Sequence, residues 1–392
     1  MSAERPDLVV AIVAGEESGD RLGAALMRAL KSKTDGPVRF VGVGGTHMHR
    51  EGLDSFVSIE RTGVIGFTTL LMKIRTYLRL IRDVAARIAA LKPDILVIVD
   101  SPEFTHRIAK RVRRSVPGIP IVDYVSPSVW AWRPWRARAM RRYIDRVMAV
   151  LPFEPEAMAR LGGPPCTFVG HPLGEQVSLI RPGEDDARRR NTPPFTVLLM
   201  PGSRSGELKR MLPIFEKTAT LMAERGRSLE FVMPSVPVQA ARLAQATAAW
   251  PVPVRIVSEQ SEKEAAFRRA RVAVVKSGTS TLELALAGVP MVAAYRVGFI
   301  EGLVAYAAIK VPSIILANLV LGENVVPAFL QYLATPRRLA AAALDLLHEG
   351  PERRRQVEAF ERLDAIMEIG RAVPSDRAAE IVLAEAGRRA RG

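Results

Sequence analysis

The sequence predicts an α/β protein of two doubly wound domains, each with a parallel sheet, with their ligand-binding edges facing across a cleft. Three observations carry that expectation. Short, near-continuous apolar runs alternate with helical patterns, as in parallel strands covered on both faces. The series occurs twice in succession along the chain. The length of 392 residues exceeds one ordinary core and favours two domains of roughly 150–200 residues each.

In the first half the expected strands are Leu8–Ala14, Val38–Val41, Ile95–Val99, Ile119–Tyr124 and Val147–Leu151. In the second half they are Thr196–Met200, Leu229–Met233, Val254–Ile256, Val272–Val275 and Met291–Ala294. Residues 1–173 and 195–364 then form the two domains. Residues 174–194 read as a linker, because Arg181-Pro182-Gly183, the charged run Glu184–Arg190 and Thr192-Pro193-Pro194 offer little to a core. A terminal helix over about 365–392 packing back on the first domain is compatible with this plan, although no pattern requires it. Ligands of open α/β sheets bind beyond the carboxyl ends of the strands. Two such edges can hold a donor and an acceptor, and transfer follows from proximity and orientation.

Composition narrows the chemistry. With 48% hydrophobic and 25% charged residues, neither half is polar enough to be disordered. A net charge of +15 favours an anionic partner: nucleic acid, a phosphorylated substrate or an acidic membrane surface. Cys166 is the only cysteine, which excludes an internal disulfide and a cysteine-based metal cluster and fits a reducing cytoplasm. His47 and His49 form an isolated His-x-His, and no Asp-x-Asp pair is present, so neither a metal nor a cofactor is expected. Met1–Pro6 carries no signal-peptide pattern. The apolar stretch Gly302–Gly322 contains Lys310, Pro312 and Asn318 and reads as buried protein, which makes any membrane contact peripheral.

Two strand-to-helix turns in the second half suit a diphosphate. The first is Met200-Pro201-Gly202-Ser203-Arg204-Ser205-Gly206-Glu207. Gly202 permits a sharp turn, the following helix offers N–H groups, and Arg204 adds a permanently charged fork. The second is Lys276-Ser277-Gly278-Thr279-Ser280-Thr281-Leu282-Glu283. Ser277, Gly278 and Thr279 provide hydroxyls and N–H donors, and Glu283 lies one helical turn further, where a carboxylate can accept ribose hydroxyls. Each also reads as an ordinary helix entry, with Ser277 or Thr279 as the N-cap. Neither is a Walker loop or a dinucleotide fingerprint.

The first half carries weaker signals. Ala14-Gly15-Glu16-Glu17-Ser18-Gly19-Asp20 follows the first strand. Its glycines let backbone line a cleft, while Asp20 reads equally as the N-cap of a helix starting near Leu22. Gly42-Val43-Gly44-Gly45 reads as a second glycine turn. Asp100 closes the strand Ile95–Val99 at its carboxyl end, where it can take a proton from a hydroxyl or simply cap a loop. Three of the four tryptophans fall in Tyr124-Val-Ser126-Pro-Ser-Val-Trp130-Ala-Trp132-Arg133 and its continuation to Trp135-Arg136. Aromatics beside arginines bind sugar, phosphate, membrane or bases, or form a core pair under a basic helix. Leu70–Leu91 is amphipathic and basic, suited to anionic lipid or to a plain crossover helix.

At these residues the chain resembles the lipid-A-disaccharide synthase family. The match runs in order through Ala14–Asp20, Asp100-Ser-Pro-Glu-Phe104, Tyr124–Arg133, Leu151-Pro-Phe-Glu154, Val169-Gly-His-Pro-Leu173, Pro201–Arg204, Ser277–Glu283 and Asn318. The resemblance implies the two-domain, Rossmann-like GT-B fold of glycosyltransferase family 19. It implies inverting, metal-free transfer of 2,3-diacylglucosamine from its UDP derivative to 2,3-diacylglucosamine 1-phosphate (lipid X). That transfer takes place in the cytoplasm, peripherally, at the anionic inner face of the bacterial inner membrane. By match Asp100 is the candidate base, Arg204 and Asn318 fall at functional positions, and Glu283 at the ribose contact. His171 belongs to the hinge motif. Gly202, Ser203, Arg204, Ser277, Gly278, Thr279 and Glu283 make the expected nucleotide site. Gly15, Ser18, Gly19, Asp20, Ser126, Trp130 and Trp132 make the expected acceptor site. The family's Met-Gly-x-x-Glu is replaced by Ile65-Gly66-Phe67-Thr68-Thr69, and its Pro-Glu-x-Leu-Gln by Pro327-Ala328-Phe329-Leu330-Gln331, departures that bear on the acceptor.

Two other classes share features with this reading. A UDP-sugar epimerase of related fold would use the same loops without an acceptor. A basic nucleic-acid-binding protein would use the charge and the Trp/Arg segment, but has little need of the two glycine turns. Nucleic acid is therefore not the expected partner. A homodimer remains an open assembly, with no residue marking its interface.

Overall fold

The computed structural model describes residues 8–58, 67–225, 228–298 and 311–390. The departure at Ile65–Thr69 and the first part of the apolar stretch, 302–310, fall outside the described residues or their described side chains. The chain divides into two compact units, Met1–Pro172 with Gly370–Gly392, and Leu173–Ile369.

In the first unit seven described strands form a parallel sheet in the order β3-β2-β1-β4-β5-β6-β7. They are β1 (Leu8–Ala14), β2 (Val38–Gly44), β3 (Leu53–Ser58), β4 (Ile95–Val99), β5 (Ile121–Tyr124), β6 (Arg146–Ala149) and β7 (Cys166–Phe168). Every residue of β1 and β4 is buried, as a strand covered on both faces requires. The helix Pro102–Ser115 turns Phe104, Ile108, Ala109 and Val112 into the core and leaves Arg107, Arg111 and Arg114 outside it. Helix Pro374–Ala390 packs on helix Glu17–Lys33, burying Ala378, Ala379 and Val382. Lys33 pairs with Glu380 at 2.9 Å, and Arg146 on β6 with Glu385 at 2.7 Å.

The second unit holds six described strands in the order β10-β9-β8-β11-β12-β13. They are β8 (Phe195–Met200), β9 (Leu229–Pro234), β10 (Val254–Val257), β11 (Ala270–Lys276), β12 (Met291–Tyr295) and β13 (Ala328–Leu330). All pairings are parallel. A core of apolar side chains, among them Val197, Leu199, Phe215, Val274 and Leu339, fills the space between this sheet and its helices.

Two expectations change. The Gly42–Gly45 segment is not a turn at Gly42: that residue lies inside β2 at φ +143°, and a Cβ there would sit 2.0 Å from the Ile12 carbonyl oxygen of β1. Residues 174–194 include helices Val177–Ile180 and Glu184–Arg190. Val177, Ile180 and Arg190 are buried, so this segment contributes to the second core where the sequence suggested it would not.

Candidate active site

In each sheet, the strand order reverses direction at one point, and loops diverge there to leave a crevice. In the first unit that point lies between β1 and β4. It brings Gly15, Ser18, Gly19 and Asp100 together. Asp100 and Ser101 both adopt left-handed backbone, at φ 54° and 45°, an arrangement costly for residues with side chains. Local bonds hold it. Ser101 N–H donates to Asp100 Oδ1 at 2.7 Å, and Ser18 Oγ donates to Asp100 Oδ2 at 3.0 Å. Thr105 Oγ1 donates to the Asp100 carbonyl at 2.7 Å. Gly15 must be small, because a Cβ would lie 2.6 Å from Ser101 Cβ. A Cβ on Gly19 would lie 3.1 Å from the Val99 carbonyl, so the bare glycine lets helix Glu17–Lys33 rest against the end of β4. A half-buried carboxylate fixed at both oxygens, each with lone pairs to spare, can accept a proton from a hydroxyl.

Asp20 has a different task. It is 2% exposed, and its Oδ1 accepts from Gly45 N at 2.7 Å and Met48 N at 3.1 Å. Its Oδ2 accepts from His47 N at 2.9 Å. The carboxylate thus satisfies the amino end of the neighbouring helix Thr46–Arg50. It does not cap its own helix, which starts at Glu17, and three of its four acceptor sites are taken by backbone N–H groups.

The tryptophan segment splits. Ser126 is buried, with Oγ donating to the Pro127 carbonyl at 3.4 Å. Trp130 Nε1 donates to Glu154 Oε1 at 3.1 Å, and its ring meets Phe153 edge-on at 4.9 Å. Trp132 is 41% exposed, with the Arg133 guanidinium 4.2 Å over its ring, and offers a face to a ligand. Glu154 entered the sequence reading only as part of a motif. In the structure it is the buried anchor of Trp130, with Oε2 also taking Leu151 N–H at 3.0 Å.

Burial pushes the Glu154 carboxyl up to about 7, against hydrogen bonds from Trp130 and backbone that favour the charged form. Between its ordinary 4.5 and about 7 the folded protein holds a proton that the unfolded chain has released. Stability contributed here therefore falls as pH rises through that window, by about 3 kcal/mol in total. Glu154→Gln is expected to flatten that decline. Denaturant unfolding of both proteins from pH 4 to 8 checks it, and parallel curves would show that Glu154 does not titrate in this way.

In the second unit the reversal lies between β8 and β11. Beyond these strands is a pocket of about 290 Å³ lined by Gly202, Ser203, Gly278, Thr279 and Glu283, together with Glu207, Lys263 and Lys276. Gly202 sits at φ +114°, and a Cβ on it would lie 2.5 Å from Glu207 Oε2. Thr279 is exposed at the N-cap of helix Ser280–Leu286, and its hydroxyl makes no capping hydrogen bond there. Burial raises the Glu283 carboxyl above the usual range, opposed by the Lys263 charge.

Three expected residues stand apart from the pocket wall. Arg204 is exposed at the N-cap of helix Ser205–Glu224 and does not line the pocket. Ser277 is buried and donates its hydroxyl to the Ile314 carbonyl at 2.8 Å. Asn318 is 3% exposed, and its amide group is used internally. Nδ2 donates to the Val326 carbonyl at 2.9 Å, and Oδ1 accepts from Val325 N at 3.1 Å and Val326 N at 2.9 Å. Asn318 therefore shapes the segment entering β13 and has no group left for direct chemistry. The structure adds two lysines to the wall where the sequence pointed to an arginine. Lys276 opens the second glycine turn, and its place at the end of β11 was the available signal.

Among the described residues no cluster of His, Cys, Asp and Glu could hold a metal ion. A family model described as lipid-A-disaccharide synthetase matches residues 10–382. The chain is 53% identical over 372 residues to the lipid-A-disaccharide synthase of Nitrobacter hamburgensis, covering 95% of this chain and 94% of that one. A putative UDP-N-acetylglucosamine 2-epimerase from Listeria monocytogenes superposes with TM-score 0.62 at 13% identity, over 96% of this chain and 94% of that one. MurG from Acinetobacter baumannii superposes with TM-score 0.55 at 14% identity, over 96% and 99%. At such identities these two likenesses carry the fold alone, GT-B. The sequence relationship is of another order, and it spans nearly the whole of both chains: this chain belongs to the lipid-A-disaccharide synthase family of glycosyltransferases.

Proposed function

We propose that this chain transfers 2,3-diacylglucosamine from UDP-2,3-diacylglucosamine to the 6-hydroxyl of lipid X, giving the β-1′,6-linked disaccharide 1-phosphate and UDP. One observation carries the reading. A carboxylate fixed by Ser18 and Ser101 stands at the reversal point of one sheet, and a glycine-walled pocket with two lysines stands at the reversal point of the other. The first is what a hydroxyl nucleophile needs, and the second is what a diphosphate leaving group needs.

The step is a single displacement through a transition state of oxocarbenium character. The acceptor oxygen bonds to the anomeric carbon as Asp100 takes its proton. The bond to the diphosphate oxygen breaks on the opposite face, and UDP leaves with the electron pair, so configuration inverts. Gly202, Ser203, Gly278 and Thr279 present N–H and hydroxyl donors to the diphosphate, and Glu283 takes a ribose hydroxyl. Arg204, next in the chain to Ser203, adds charge near the rim. Gly15, Ser18 and Trp132 meet the acceptor. Ser277, Asn318, Asp20, Ser126 and Trp130 act by holding these groups in place.

Incubation with UDP-2,3-diacylglucosamine, with and without lipid X, tests the reading by mass spectrometry. Disaccharide 1-phosphate is expected only when both are present. Conversion of the UDP-sugar without lipid X would favour an epimerase.

The substrates bear acyl chains, and no helix of the described residues is long and apolar enough to cross a membrane. The +15 charge supports peripheral attachment to anionic lipid. Binding to vesicles of phosphatidylglycerol is expected to weaken about tenfold or more between roughly 50 and 300 mM salt, as screening of several charges requires. Salt-insensitive or absent binding in sedimentation would contradict the electrostatic attachment.

A further inference from the structure

We infer that Lys276, held by Glu207, is the residue that recognises the diphosphate of the nucleotide, and that Glu207 serves as its internal counter-ion. The inference rests on the donor-site reading above and deepens it. Lys276 ends β11, with Nζ 2.9 Å from Glu207 Oε1 and 5.0 Å from the Tyr295 ring centroid. Both charged side chains are mostly withdrawn from solvent, at 16% and 15% exposure, and both line the pocket. The pair bridges the two glycine turns. Glu207 also meets the Arg204 backbone N–H at 3.4 Å and packs where a Cβ on Gly202 would stand.

The placement of Glu207 indicates what the site is built to receive. Its carboxylate occupies the amino end of the 20-residue helix Ser205–Glu224, against a lysine and a backbone N–H. Those are the partners an anion seeks at a helix start. Burial alone would raise the Glu207 carboxyl, but the hydrogen bond and charge of Lys276 hold it below the usual range, so the carboxylate is ionised at neutral pH. A phosphate entering the pocket offers the lysine a second, doubly charged partner and three more acceptors. Lys276 has three N–H donors, enough to serve both anions. Lys263, the other cation of the wall, comes from helix Gln260–Arg269 and stands toward Glu283, which leaves it to the ribose end.

A lysine kept neutral in sum by Glu207 gives an asymmetric outcome on substitution. Removing the lysine alone leaves a carboxylate facing a diphosphate. Lys276→Met is therefore expected to raise the dissociation constant of UDP by about 10- to 100-fold. Uridine, which lacks phosphate, should change by less than about twofold. Glu207→Gln should bind UDP as tightly as the parent or up to about threefold more tightly, since the amide keeps the shape and still accepts an N–H. The double variant should recover only the share of the loss due to the bared carboxylate and stay about 5- to 10-fold weaker than the parent, because the recognising lysine is still absent.

Ligand-observed NMR with UDP and uridine on the intact protein and the three variants reads all of these, with thermal unfolding as a check on folding. If the pair only fastens β11 to the helix, Lys276→Met and Glu207→Gln will weaken UDP and uridine alike and the double variant will recover nothing. That result overturns the inference. Failure of the parent protein to bind UDP would instead overturn the donor-site reading on which it stands.

Discussion

Asp100→Ala is expected to lower turnover by about 10²- to 10⁴-fold, the usual worth of a positioned general base. UDP affinity should stay within about twofold of the parent, because Asp100 belongs to one compact unit and the nucleotide pocket to the other. The size of the effect follows from how the residue is held. The chain accepts two consecutive left-handed residues, Asp100 and Ser101, to aim this carboxylate. It fixes one oxygen with a backbone N–H and the other with Ser18 Oγ. Asp100→Asn keeps the shape and one acceptor but cannot take the proton, so it should lose nearly as much as alanine. Ser18→Ala removes one of the two restraints and should cost only about 3- to 10-fold. Steady-state turnover with saturating donor checks the series. Near-parental turnover in Asp100→Ala would remove the residue from the role.

Arg190→Met is expected to lower the stability of the second unit by about 3–5 kcal/mol, as leaving several buried carbonyls without their charged donor does. For a unit of this size that is a fall of about 6–20 °C in melting temperature. The guanidinium is 7% exposed and donates to four carbonyls. Nε reaches Arg268 at 3.1 Å, Nη1 reaches Gly288 at 3.0 Å, and Nη2 reaches Phe267 at 3.0 Å and Ala287 at 3.1 Å. These carbonyls lie at the carboxyl ends of helices Gln260–Arg269 and Ser280–Leu286, where the backbone is partly negative. Burial, and then the neighbouring Arg353 and Arg271, push the Arg190 pKa down to about 10, still charged at neutral pH. Methionine fills the volume but leaves the carbonyls without donors. Lysine, with one centre in place of a fork, should recover only part of the loss. Calorimetric unfolding of the three proteins checks this, and an unchanged melting temperature in Arg190→Met would contradict the assignment.

Most of the fold was legible because its central strands are buried on both faces and so read as apolar runs. β1, β4, β8 and β11 are of this kind, and they frame both reversal points. The edge strands β3, β7 and β13 escaped for the complementary reason. β7 has no buried residue and β13 none either, so neither leaves an apolar run in the sequence. Arg190 was hidden by its own chemistry. A charged run predicts a solvated surface, and nothing local announces that four distant carbonyls await one of its members.

The site was legible at its turns and less so at its side chains. Gly15, Gly19 and Gly202 follow from the close approach of a neighbouring segment, which a strand-turn-helix pattern reveals. Asp20, Ser277 and Asn318 stand in the same motifs, yet their polar groups are turned to partners 25 to 37 residues away for Asp20 and Ser277, and to the next loop for Asn318. A motif shows that a residue matters without showing whether it faces ligand or backbone. Lys276 is the converse, a wall residue whose part depends on Glu207, a partner 69 positions back in the chain that no local pattern links to it.

Calorimetric titration of the intact protein with UDP, in buffer containing EDTA, bears most directly on the whole account. Saturable binding at one site per chain, unchanged when magnesium replaces the chelator, is the predicted result. No heat of binding in either buffer, or binding only with the divalent ion, would contradict a donor site that meets the diphosphate with protein groups alone.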